Sequence, residues 1–181
     1  MVLVTFEGID GCGKTTLARA VSAKIKGYLT YEPRYLRPSI QDPLAVAFLF
    51  IADRAEHVEE IEEAEKRYDC VLCDRYCDST YAYQSVSIAE RYGISIKDAI
   101  AFLKNAHAFF PVPDVTFLID IGVEEAKKRK DEGFDDRFMQ RVREAYLLLA
   151  QSEKRIKVLD GRKSTEALCD IVLSHLSSSR L

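Results

Sequence analysis

The 181-residue sequence has no apolar stretch approaching the roughly 18–20 residues that a bilayer-spanning helix needs. Its first residues, Met1-Val2-Leu3-Val4-Thr5-Phe6-Glu7-Gly8, lack the basic segment and cleavage site of a secretory signal. A cytoplasmic protein without a membrane partner is expected. Positive charge is not in excess: 26 Lys and Arg stand against 29 Asp and Glu, a net charge of −3. A nucleic-acid-coating protein would normally be basic, so no nucleic-acid partner is expected. Cysteines number five, an odd count with Cys169 far from the rest, which argues against a secreted disulfide framework. Cys70-x-x-Cys73-x-x-x-Cys77 has the outline of a metal motif, but no fourth ligand follows at a zinc-like spacing. His57, His107 and His175 all lie elsewhere in the sequence. Val71-Leu72 makes this segment a buried strand, on which residues three apart face opposite sides. The thiols therefore read as small apolar side chains of a reduced interior. Repeats, linkers and low-complexity tracts are absent too, so residues 1–181 read as one domain, large enough for a full core.

What is present alternates. Val2–Glu7 is a short apolar, β-branched run followed by glycines, and reads as a buried strand. A helix is expected from Lys14 to about Lys26, with Leu17, Val21 and Ile25 on one face and Gly27 as its end. Tyr28–Tyr31 is a second strand, stopped by Pro33. Residues 41–67 look helical; Leu44–Ile51 is apolar all round and expected to be buried, whereas Glu56–Glu65 is acidic and expected to face solvent. Cys70–Cys73 is a third strand, followed by helices over Ser79–Arg91 and Ile96–Ala106, the latter capped by Ser95. Val115–Ile121 is a fourth strand, Glu124–Lys130 and Asp136–Glu153 are helices, and Lys157–Leu159 is a fifth strand. Ser164–Leu176 is a last helix capped by Ser164 or Thr165, with a frayed serine tail after it. Apolar strands alternating with helices specify an α/β protein with a parallel sheet covered on both faces.

Gly8-Ile9-Asp10-Gly11-Cys12-Gly13-Lys14-Thr15 fits Gly-x-x-x-x-Gly-Lys-Ser/Thr between a strand and a helix. Glycines let backbone N–H groups wrap a phosphate at the positive end of a helix. Lys14 would reach β- and γ-phosphates, and the Thr15 hydroxyl would ligate Mg²⁺. The nucleotide-binding segment is therefore Gly8, Ile9, Asp10, Gly11, Cys12, Gly13, Lys14, Thr15 and the adjoining Thr16. A GTPase would need a base-selecting Asn-Lys-x-Asp, which does not occur. A motor ATPase would usually be larger, so a small nucleotide kinase using ATP fits best. Asp74-Arg75 closes the third strand, and carboxyl ends of neighbouring parallel strands share the edge where ligands bind. Asp74 would hold Mg²⁺ through water, and Arg75 would offset repulsion between donor and acceptor phosphates.

Together these residues resemble the thymidylate kinases. The resemblance is carried by Phe6–Thr16, by Phe50-Ile51-Ala52-Asp53-Arg54-Ala55-Glu56-His57-Val58 and by Asp74–Gln84. Pro113–Asp120, Asp136-Arg137-Phe138 and Arg141–Tyr146 continue it, in order along most of the chain. It implies transfer of the γ-phosphoryl of ATP to dTMP, a three-layer α/β/α sandwich of the P-loop kinase type with a five-stranded parallel sheet, and a homodimer. It also implies that Arg34 binds the dTMP phosphate, Phe50 stacks on thymine and Arg54 reaches thymine O4. Ser79 and Thr80 would line the base pocket, with Thr80 facing N3. Tyr83 would pack under the sugar and exclude a 2′-hydroxyl, and Asp10 would accept from the 3′-hydroxyl. Arg34 stands in Glu32-Pro33-Arg34 where the family more often has Glu-Pro-Gly-Gly-Thr. Glu32 is a further candidate near the metal, and His57 reads as a packing or capping residue.

Lys127-Lys128-Arg129-Lys130, Asp131-Glu132 and Asp135-Asp136 form a dense charge run around Gly133. Some thymidylate kinases place an arginine in the phosphate loop just after the acidic residue; here that position is Gly11. The resemblance then implies a mobile lid over about 127–137 that supplies the transition-state cation, Arg129 or Arg137 first and Lys130 third. Two other readings compete: a kinase of another nucleotide or deoxynucleoside, and a catalytically silent nucleotide-binding protein. Intact Lys14, Thr15, Asp74 and Arg75 argue against the second, and a nucleoside offers no phosphate to Arg34 and Arg75. Leu44–Ile51 is the candidate dimer face.

Overall fold

A computed structural model describes residues 2–34, 40–130, 133 and 135–178. Strands β1 (Val2–Glu7), β2 (Tyr28–Tyr31), β3 (Cys70–Asp74), β4 (Val115–Asp120) and β5 (Ile156–Asp160) form one parallel sheet, in the order β2-β3-β1-β4-β5. The helices are α1 (Lys14–Ser22), α2 (Pro43–Glu65), α3 (Cys77–Tyr92), α4 (Ile96–Ala106), α5 (Val123–Arg129), α6 (Asp136–Ser152) and α7 (Thr165–Ser178). The chain moves from β1 to β2 in one direction across the sheet and then back through β3, β4 and β5. Right-handed crossovers therefore put α1 on one face, where it packs with α7, and α2, α3 and α6 on the other. This is the expected three-layer α/β/α arrangement. Among the described residues, no helix is long and apolar enough to cross a membrane.

β1 is central and buried along its whole length, pairing Leu3 with Val71 and Phe6 with Phe117. Its one internal polar side chain, Thr5, shares a 2.7 Å hydrogen bond with Thr116 of β4, so no hydroxyl is stranded in the apolar layer. Glu7, Asp74, Asp120 and Asp160 each close their strand. Apolar runs that must be covered on both faces thus turn acidic at the one edge where a ligand is met.

Two expectations are corrected. The first helix stops at Ser22 rather than near Lys26, and Gly27 is not its cap. A Cβ on Gly27 would lie 3.2 Å from the Cys70 carbonyl, so the glycine serves the close approach of the β2 entrance to β3. Leu44–Ile51 is not buried: only Ala47 is, and Phe48 is 50% exposed. An apolar run with one face on a cavity and another in solvent is amphipathic only once a partner covers it. Elsewhere the ends follow local chemistry. Asp42 caps α2 by accepting from Leu44 and Ala45 N–H, Ser95 caps α4, and Ser164 accepts from Ala167 N–H ahead of α7. The serine tail is not frayed at Ser177 and Ser178, which belong to α7 and donate their hydroxyls to carbonyls one turn back; Ser179 lies outside the described residues.

Candidate active site

At the carboxyl edge of the sheet lies a cavity of about 590 Å³, a volume suited to one small-molecule ligand. The sequence-derived candidates Asp10, Phe50, Arg54, Arg75, Ser79, Thr80 and Tyr83 all line it. Strand β1 delivers the phosphate loop to one end of this cavity. There the buried Lys14 Nζ donates to the Ile9 carbonyl at 3.2 Å and lies 3.5 Å from Asp10. Burial, with Arg75 close by, holds the Lys14 ammonium below its usual pKa. Burial acts to raise the Asp10 carboxyl, but Arg75 and Lys14 outweigh it and hold the group below the usual range. Paired cations facing one carboxylate leave positive field for an incoming phosphate.

Arg75 follows β3 in a left-handed backbone conformation, φ 71°, which is rare for a residue with a side chain. Its N–H donates to the Phe6 carbonyl at 3.0 Å, and its guanidinium donates to Asp10 and, at 3.0 Å, to Ser79. It also lies 5.2 Å from the Tyr83 ring centre. Tyr83 in turn donates its hydroxyl to Asp10 at 2.9 Å. Strain of this kind persists where neighbours over-determine it, as they do here.

Thr15 donates its hydroxyl to Asp74 Oδ2 at 2.5 Å, while Asp74 Oδ1 is buried without a hydrogen-bond partner among the described residues. A stranded carboxylate oxygen beside a hydroxyl suits a hard divalent cation. No group of three or more His, Cys, Asp and Glu among the described residues could hold a metal by itself. Mg²⁺ does not require one, because it keeps water and phosphate oxygens in its shell. The cysteines Cys12, Cys70, Cys73, Cys77 and Cys169 are free thiols.

At the other end of the cavity Arg54 of α2 is buried. Its Nε and Nη2 donate to the Glu32 carboxylate, Nη2 also reaches Thr80 at 3.1 Å, and Nη1 donates to His107. His107 gives its Nδ1 hydrogen to the Leu103 carbonyl at 2.6 Å, leaving Nε2 to accept. Burial first, and Arg54 second, push His107 down to about 4, so it stays neutral. One Nη1 hydrogen of Arg54 remains for a ligand. Glu32 is thereby committed to Arg54 and to His57 Nδ1 at 2.9 Å, not to a metal. His57, read as a packing residue, is indeed buried, bridging Glu32 and Thr30.

Other candidates are not gathered there. Arg34 stacks 5.0 Å from the Tyr31 ring centre and pairs with Glu60 at 2.8 Å, outside the cavity lining. Arg129 donates to the Gly161 carbonyl at 3.0 Å, in the turn after β5. Arg137 is exposed in the first turn of α6. Asp131 and Glu132 of the charge run lie outside the described residues. Gly11 does explain itself: at φ +80°, a Cβ would sit 2.2 Å from the Ala126 carbonyl of α5. Helix α5 rests directly on the phosphate loop, so no side chain fits at position 11. Gly11→Ala is expected to lift α5 and reduce kcat/KM for ATP about tenfold or more, the strain being about 1–3 kcal/mol. Unchanged ATP kinetics would mean that the seat of α5 is irrelevant to catalysis.

Sequence reasoning missed Phe138, which lines the cavity with its ring centre 6.3 Å from that of Tyr83, and it assigned nothing to Glu7 or Tyr146. The readable signal was an acid closing the apolar strand at Glu7.

The parallel sheet, the glycine loop and the Thr15–Asp74 pair define a P-loop phosphotransferase. The thymidylate kinase family model matches residues 6–171. The chain is 33% identical to a probable thymidylate kinase of Methanocaldococcus jannaschii, covering 98% of this chain and 96% of that one. It is 41% identical to a probable thymidylate kinase of Sulfurisphaera tokodaii, over 92% and 91% of the two chains. The solved structure of thymidylate kinase from Candida albicans superposes with a TM-score of 0.85 at 22% identity, over 99% of this chain and 92% of that one, and shares the fold. The chain belongs to the thymidylate kinase family.

Proposed function

We propose that the chain transfers the γ-phosphoryl group of ATP to dTMP through the residues gathered at this cavity. One observation carries the reading: a nucleotide-sized cavity shares Asp10 with the phosphate loop and sets Arg75 against it, so a monophosphate bound in it faces a triphosphate held by Gly8–Thr16. Phe50 offers a ring to the base, and Arg54 offers its remaining Nη1 hydrogen to a base carbonyl. Thr80 faces N3, Tyr83 lies under the sugar, and Asp10 accepts from the 3′-hydroxyl. Lys14 and Arg75 offset charge as the γ-phosphoryl leaves the β-phosphate oxygen for a phosphate oxygen of dTMP, giving ADP and dTDP. Thr15 and Asp74 would hold Mg²⁺, which when bound would neutralise negative charge on the phosphates. Arg34 exchanges Glu60 for the dTMP phosphate. The half-exposed Leu44–Ile51 face, with Phe48 edge-on to Phe102, is the proposed contact of a cytoplasmic homodimer. A coupled assay with ATP, Mg²⁺ and a panel of nucleoside monophosphates tests the reading. Turnover should be fastest with dTMP; a different preference, or none, overturns it.

Arg129 and Arg137 remain the proposed lid cations. Arg129→Ala or Arg137→Ala is expected to cut kcat while leaving dTMP binding nearly unchanged, the pattern of a contact made mainly in the transition state. Arg129 leaves the Gly161 carbonyl to do this, whereas Arg137 has no hydrogen bond or ion pair to break among the described residues. Wild-type turnover in both variants would reduce the run to a solvated surface.

A further inference from the structure

Glu7 ends the central strand wholly buried, and nothing in the mechanism above uses it. Its Oε1 accepts the backbone N–H groups of Tyr76 at 2.7 Å and Ser79 at 3.2 Å. Its Oε2 accepts the Ser79 hydroxyl at 2.6 Å and the Tyr146 hydroxyl at 3.0 Å. Arg75 Nη1 then donates to the oxygen of that same Ser79 at 3.0 Å. A continuous path therefore runs from the central strand through Glu7 and Ser79 to Arg75, and α6 joins it at Tyr146.

We propose that Glu7 is a positioning residue for Arg75: as an ionised acceptor it draws the Ser79 hydroxyl hydrogen to itself and turns a Ser79 lone pair toward the guanidinium. The inference rests on the reading of Arg75 as the residue between the phosphates. A carboxylate can only accept, so the Ser79 and Tyr146 hydroxyls both serve it as donors. A carboxylic acid must instead donate one hydrogen into the same cluster, where the two hydroxyl oxygens lie 2.9 Å apart. One hydroxyl then turns round, and Arg75 loses a facing negative charge and shares its Ser79 acceptor with a second donor. The left-handed backbone of Arg75 makes its side chain dependent on such neighbours.

The surroundings put this switch in an accessible range. Burial first, then Asp78 on α3, raise the Glu7 carboxyl, while Ser79, Arg75 and the Tyr76 N–H hold it back, leaving it at about 7. Asp78 is itself paired with Arg155 at 2.7 Å. The other titratable groups facing Glu7 stay neutral: burial pushes up the thiols of Cys73 on β3 and Cys77 on α3 and the phenol of Tyr146 on α6. Glu7 is thus ionised above about 7 and neutral below it, and bound phosphates would move that point higher.

The test is kcat of the full chain at saturating ATP and dTMP across this pH range, for wild type and Glu7→Gln. Gln keeps the shape but carries hydrogens where the neutral acid would. Wild-type kcat reports the loaded enzyme, so it should fall as the pH drops through a point above about 7, to about one tenth a unit below that point. Glu7→Gln should sit near that lower level and keep only the part of the limb that the substrate phosphate supplies. The substrate phosphate titrates in both proteins, so the difference isolates Glu7. A variant that keeps the wild-type limb, or a wild type without one, overturns the proposal. Arg75→Ala distinguishes the underlying reading: near wild-type turnover there removes the role of Arg75 itself. If Glu7→Gln gives no cooperative melt, Tyr146→Phe serves instead. Losing a donor to the carboxylate should shift the limb to higher pH, and an unmoved limb overturns the inference.

Discussion

Lys14→Ala is expected to lower kcat by about 10²-fold or more with the fold intact, because one preorganised charge contact to a reacting phosphate is worth about 3 kcal/mol. The ammonium is enclosed at 6% exposure, held between the Ile9 carbonyl and Asp10. Burial and the neighbouring Arg75 already work against its charge. An arriving triphosphate relieves that opposition, so the contact strengthens as negative charge gathers on the β- and γ-oxygens. Truncation leaves Asp10 paired with Arg75, so the loop keeps its internal ion pair and the melting temperature should change little. Lys14→Arg should not restore activity, since a longer planar head has no room in the same enclosure. Steady-state kinetics with direct measurement of ATP binding and a thermal melt check this. Near wild-type turnover in Lys14→Ala would remove the phosphate-loop assignment.

What could be read from the sequence followed the range of the signal. Strands buried on both faces appear as apolar runs alternating with helices, so the parallel sense of the sheet and its two covered faces were legible, whereas the strand order was not. The phosphate loop was legible because its chemistry needs adjacent residues, and Asp74 beside Thr15 followed from the shared edge of neighbouring strands. Contacts between distant segments were not. The resemblance makes Glu32 a candidate near the metal, yet its carboxylate is claimed by Arg54 of α2. Arg34 is expected to meet a phosphate, but Glu60 of α2 holds it. Leu44–Ile51 shows why periodicity alone misleads: it reports that a segment is apolar, not what covers it. Glu7 carried a local signal, an acid at the end of an apolar strand, but its meaning depends on Ser79 and Tyr146, which arrive from far along the chain.

The largest stability effect should come from the base end of the cavity. Arg54 and Glu32 form a buried ion pair, with side-chain exposures of 1% and 7%. Arg54→Leu strands the Glu32 carboxylate against His57, and Glu32→Leu strands the guanidinium against the neutral His107 and Thr80. Each is expected to cost about 3–5 kcal/mol of unfolding free energy, the scale for leaving one buried charge uncompensated. The double variant Arg54→Leu with Glu32→Leu removes both charges together. Apolar side chains replacing a whole buried pair are often neutral, so it should regain most of the lost stability. It should not regain dTMP binding. The Nη1 hydrogen that Arg54 is proposed to give the base is missing from the double variant as from the single one, and a hydrogen bond from a charged donor is worth about 1.5–3 kcal/mol. Denaturant unfolding of all three variants, with dTMP titrations, separates the two roles. If the double variant is as unstable as the two single losses combined, the pair is not a coupled unit. If it recovers both stability and dTMP affinity, Arg54 is packing alone and the base is read by other residues.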